Sequence, residues 1–139
     1  MQLSKIEIAK RQLDAASQLY FSGGDYLAVI TLAGAAEEIL GALLKRQGQR
    51  AMVDQLVDLD VALTGGRPFK TVSQEINRAR NALKHAHDPS EDSLIVEPGE
   101  ALAMLGRAIV NYVWLTKSAT PDMVRAYDHL AELHPDVAR

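Results

Sequence analysis

Cysteine is missing altogether from the 139 residues of this chain. Disulfide staples and structural zinc sites built on thiolates are therefore excluded. Aromatic residues are scarce, at 5% with a single tryptophan. Trp114, Tyr112 and Tyr127 fall at core spacing and read as packing groups rather than base-stacking surfaces. Long apolar runs are also missing. The longest uncharged apolar-rich stretch, Tyr26 to Ala36, is closed by Glu37 and Glu38. A membrane span needs roughly 20 apolar residues, so a buried helix is expected there and no membrane partner. Lys5, Glu7, Lys10 and Arg11 break up the first turns, which is unlike a secretory leader, and a cytoplasmic location is the expectation. Sustained period-two alternation is absent, so strands are not expected. Gly65-Gly66-Arg67-Pro68 lacks the spacing of a phosphate-cradling loop. A net charge of −3 excludes a protein that coats nucleic acid by bulk positive charge.

What is present is an ordinary globular composition, 47% hydrophobic and 24% charged. The length suits one domain over residues 1–139 with a real core. Ser4 caps a first helix whose Ile6, Ala9, Leu13, Ala16 and Tyr20 recur at helical spacing, and Gly23-Gly24 stops it. Asp25 opens a second helix, apolar on most of its circumference, that runs to about Gln47 and breaks at Gly48. Met52, Leu56, Leu59 and Leu63 suggest a short third helix. A fourth begins near Thr71 and is limited by Asp88-Pro89. Pro89 to Glu97 reads as a loop. Pro98 starts a fifth helix carrying Leu102, Leu105, Ile109 and Tyr112. Thr120-Pro121-Asp122 starts a sixth, with Met123, Tyr127 and Leu130 on one side. The expected fold class is all-α: an antiparallel four-helix bundle with one short crossing helix, the third, and a C-terminal accessory helix, the sixth. The second helix is too apolar for a peripheral place and is expected to be central or shared with another subunit.

The chemically informative stretch is Asn77-Arg78-Ala79-Arg80-Asn81-Ala82-Leu83-Lys84-His85. At roughly 100° per residue, Val72, Ile76, Ala79 and Leu83 form the expected buried stripe. Asn77, Arg80, Asn81, Lys84 and His85 form one polar arc on the other side. Arginine offers a planar fork of donors that fits phosphate oxygens, and histidine exchanges protons near neutrality. Asparagine can hold a sugar hydroxyl or fix the imidazole tautomer. Such a set suits metal-free RNA cleavage by the ribose 2′-hydroxyl, and equally a solvated helix face. In a lone bundle the arc would point into water, whereas a two-fold contact would pair it with its own copy. Glu37 falls in the apolar stripe of the second helix, flanked by Gly34 and Gly41. It either pairs with Arg80 or Lys84 and orients the fourth helix, or packs its stem at the bundle edge. Glu38 groups with Thr31 and Lys45 and reads as solvated. His85-Ala86-His87-Asp88 gives no third ligand at useful spacing, so no metal and no cofactor are expected.

Arg80-Asn81-Ala82-Leu83-Lys84-His85 resembles the signature of HEPN domains, in which an arginine, usually followed by a polar residue, precedes a histidine late in a bundle helix. The Gly23-Gly24-Asp25-Tyr26 start of the second helix and the helix order over roughly residues 4 to 117 are also similar to that family. The resemblance implies a helical homodimer whose paired motifs face one cleft, and, in active members, a metal-independent endoribonuclease serving as a toxin or defence component. It implies catalytic roles for Arg80 on the phosphate, His85 in proton transfer and Asn81 in support. Lys84, Asn77 and Arg78 would add phosphate or RNA contacts. An antitoxin protein is an implied partner, although the toxin subgroup commonly carries a tyrosine where this chain has His87. The alternative is a catalytically silent HEPN-like module that binds nucleotide, RNA or a protein. Between Arg67 and His87 the charge is locally positive: Arg67, Lys70, Arg78, Arg80 and Lys84 against Glu75 alone, a +4 window that leaves −7 elsewhere. Binding there is expected to be salt-sensitive and confined to a few phosphates.

Overall fold

The computed structural model describes residues 1–55, 77–84, 89–91, 93 and 95–133. Regular structure among them is entirely helical: α1 (Lys5–Phe21), α2 (Tyr26–Arg46), α3 (Arg78–Lys84), α4 (Pro98–Thr116) and α5 (Pro121–Leu133). Residues 52–55 are also helical, and Pro89–Glu91 form a 3-10 turn where a loop is expected. The body of the expected third helix and the start of the fourth near Thr71, with Val72 and Ile76, lie outside the described residues, as do Leu94 and the segment His85-Ala86-His87-Asp88.

Local chemistry sets the helix ends. Ser4 Oγ accepts from the Glu7 N–H at 3.1 Å, and Asp25 Oδ1 from the Leu27 N–H at 2.8 Å. Each satisfies a first-turn donor that has no helical acceptor. After α1 the chain turns left-handed at Gly23 (φ 76°), which lets the Gly24 N–H bond back to Leu19 O at 2.8 Å. Gly48 (φ 74°) closes α2 the same way, with the Gln49 N–H on Leu44 O at 2.9 Å. At the start of α4, Glu100 Oε2 accepts from the Glu97 N–H at 2.9 Å. Thr120 Oγ1 accepts from the Met123 N–H at 3.2 Å and donates to Asp14 Oδ1 at 2.6 Å, so one hydroxyl caps α5 and ties it to α1.

α2 lies at the centre, packed on α1 and α4. By length and composition it could cross a membrane, and half of that stretch is buried inside the fold. Its Ala33 and Ala36 share the core with the alanines of its neighbours, among them Ala9, Ala16, Ala101 and Ala108. Small side chains here allow close helix approach, with Leu13, Ile30, Leu40 and Leu105 filling the remaining volume. α5 is more than an accessory. Met123 and Ala126 are part of the core, and α5 packs on both α1 and α4. Gly106 of α4 makes room for it: a Cβ there would lie 2.6 Å from Leu130 Cδ2. That atom is the free end of a flexible side chain, so it can rotate away. Gly106→Ala is therefore expected to shift the unfolding free energy by no more than about 1 kcal/mol, the helix-propensity gain offsetting the displacement. Urea unfolding measures this.

Candidate functional site

α3 docks on α2, and it does so through its polar side. Glu37, in the middle of α2, is only 2% exposed. Its Oε2 accepts from Arg80 Nη1 at 2.6 Å, and its Oε1 lies 3.3 Å from Arg107 Nη2 of α4. Arg107 Nη2 also donates to Asn77 Oδ1 at 2.6 Å. One buried carboxylate thus stands between two guanidiniums from two different helices. At the rim, Glu38 faces Arg80 Nη2 at 3.4 Å and accepts from Lys84 Nζ at 2.8 Å. Arg80 Nε reaches Asn81 Oδ1 at 3.4 Å. Arg78 leaves the cluster and bonds Glu100 Oε1 at 3.2 Å and Ile95 O at 3.4 Å.

Gly34 is what lets Arg80 reach Glu37. A Cβ on Gly34 would sit 2.6 Å from Arg80 Cγ and 2.8 Å from Cδ, so the arginine stem crosses α2 over bare backbone. Burial lowers the Arg107 pKa from its usual value, and nearby Arg80 lowers it further, while Glu37 opposes both. A guanidinium is effectively always protonated in proteins, so Arg107 stays charged at neutral pH.

The wheel reading of the fourth helix is corrected by this geometry. Part of its polar arc turns inward: Asn77 and Arg80 are each 7% exposed, while Asn81 is half-buried and Lys84 exposed. Hydrophobic periodicity assigns polar residues to solvent, but a buried carboxylate and a buried arginine on facing helices reverse that preference. Leu83, assigned to the buried stripe, is only partly buried, and Ala82 is buried instead. The described residues of the arc, Asn77, Arg80, Asn81 and Lys84, have partners within the chain, so they supply no independent reason for a second copy to cover them.

The expected site residues therefore separate. Glu37 and Arg80 are brought together in the expected ion pair, while Lys84 takes Glu38 instead. Glu38 is exposed as expected, yet it pairs with two cations. Arg80, expected on a phosphate, is directed at two carboxylates. Asn77, expected to touch RNA, gives its side-chain oxygen to Arg107. Asn81 is half-buried, and Arg78 and Lys84 are exposed and paired. His85 lies outside the described residues. Two surface grooves, about 670 Å³ beside Phe21 and Arg125 and about 690 Å³ beside Trp114 and Tyr127, contain no residue of α3.

Arg107 and Asn111 went unnoticed in the sequence. Both are buried, on the face of α4 that carries Met104, Leu105 and Ala108. The available signal was a lone arginine in one apolar helix and a glutamate in the apolar stripe of another, since a buried charge demands a counter-charge.

Comparison of this chain with protein-family models, with curated proteins and with solved structures finds no match.

Proposed function

We propose that this chain is a HEPN-like four-helix module, homodimeric through its motif helix, that acts on RNA as a metal-independent endoribonuclease. The observation that carries the reading is the buried Glu37 held by Arg80 at 2.6 Å beneath the motif. A core of alanine and leucine has no energetic need of it, because apolar replacements of a buried ion pair are commonly as stable or more so. Buried charge gathered on the segment that leads into His85 fits a device for setting geometry. In this reading Arg80 acts from inside, as a positioning residue. Asn81 and Lys84 stand at the rim. His85 takes the proton from the ribose 2′-hydroxyl as its oxygen attacks the adjacent phosphorus, the bond to the 5′-oxygen breaks, and water gives that oxygen its proton and then recovers one from the imidazolium. The products are a 2′,3′-cyclic phosphate and a 5′-hydroxyl. The homodimer comes from the family resemblance alone.

The test is incubation of the purified protein with RNA in EDTA. Cleavage to 5′-hydroxyl ends is expected, and its loss in His85→Ala. Cleavage that survives His85→Ala overturns the reading. A second reading is favoured by one observation: Glu37 and Glu38 already occupy the Arg80 guanidinium. That suits a silent module, and RNA binding without cleavage in the same experiment selects it.

A further inference from the structure

α4 buries two polar residues one turn apart, Arg107 and Asn111, which stack on one side of the helix. Each grips the chain on one side of residues 56–76. Asn111 is fully buried, and its Oδ1 accepts from the Met52 N–H at 2.8 Å. That donor opens the helical turn 52–55 and has no acceptor within it. Among the described residues the Asn111 Nδ2 finds no acceptor. An unsatisfied buried donor is costly, so the value of this side chain to the fold lies in its oxygen. Arg107 grips the other side through Asn77, the residue immediately before α3, whose carbonyl accepts from the Asn81 N–H at 2.9 Å. The same Arg107 nitrogen faces Glu37 at 3.3 Å, so one guanidinium joins α4 to α2 and to the first turn of α3. The described residues of α3 dock on α2. Their position is set by what they dock on.

We infer that Arg107 is the positioning residue of the Arg80–His85 segment, and that with Asn111 it forms a staple on α4 that fixes the chain at Met52 and at Asn77. Only the catalytic arm of its test rests on the proposed ribonuclease reading. Arg107→Lys keeps a charge on α4 but cannot set its nitrogen where Nη2 stands, the one atom that meets both Asn77 and Glu37. Amide hydrogen exchange on the full chain is expected to run about ten-fold faster in residues 78–84, with α1 unchanged. Asn111→Ala should speed exchange in residues 52–55 and leave 78–84 as they are. Against RNA in EDTA, Arg107→Lys should lower kcat and leave KM in place, because geometry rather than binding is lost. Unchanged exchange in 78–84, or an equal rise in every helix, overturns the staple. Should Arg107→Lys not fold, Asn77→Ala removes only the acceptor and is read by the same two outcomes. If the wild type cuts no RNA, the proposed activity fails and the exchange still decides the staple.

Discussion

Glu37→Gln is expected to lower the unfolding free energy by about 3–5 kcal/mol, the loss typical of breaking one side of a buried ion pair. Glutamine keeps the volume and one acceptor, but it leaves Arg80 and Arg107 facing each other without the anion between them. Glu38 cannot replace it, because Glu38 is exposed and reaches Arg80 at 3.4 Å. The contrast with Glu38→Gln is part of the prediction: an exposed pair contributes at most about 1 kcal/mol. Urea unfolding separates the two, with the midpoint moving for Glu37→Gln and the slope unchanged. The melting temperature should fall by roughly 10–17 °C. A loss below about 1 kcal/mol would mean that the two arginines reach water once released. Replacing Glu37, Arg80 and Arg107 together by methionine should restore stability, because the cluster costs desolvation that an apolar trio avoids. That result would separate what the cluster does for stability from what it does for geometry.

The helical elements were legible because their signals are local. Ser4, Asp25, Gly23, Gly48 and Thr120 act at the ends expected of them, since a cap or a left-handed glycine needs nothing beyond its neighbours in sequence. The place of Glu37 was half legible: a charge in an apolar stripe either finds a buried partner or sits at the bundle edge, and only the facing arginines decide for burial. The orientation of the motif helix was not legible. Asn77 and Arg80 look solvent-facing on any wheel, and only a carboxylate and an arginine on other helices turn them inward. The same limit explains why α5 was underrated. Its Met123 and Ala126 form a narrow apolar stripe, and the room for Leu130 is created by Gly106, 24 positions earlier in the chain. Long-range complementarity between two unremarkable segments leaves no periodic trace in either.

Gly34→Ala should change sign with its background. In a helix interior this replacement ordinarily stabilises by about 1 kcal/mol. Here the new Cβ would lie 2.6 Å from Arg80 Cγ and 2.8 Å from Cδ. Unlike Leu130 against Gly106, those atoms are mid-stem, tethered at one end by α3 and at the other by the bond to Glu37. The stem cannot swing aside without giving up the ion pair. A net loss of about 1–3 kcal/mol is expected, as for other overpacked interiors. In an Arg80→Ala background the obstacle is gone, and the same Gly34→Ala should stabilise by about 1 kcal/mol. Glu37 keeps Arg107 there, so the background remains paired. The double-mutant cycle from urea unfolding should show coupling of about 2–4 kcal/mol between positions 34 and 80. Equal effects in the two backgrounds would mean that the arginine stem does not cross at Gly34. A reversal would mean that the glycine is present for Arg80, since backbone freedom at position 34 is no different in the two proteins.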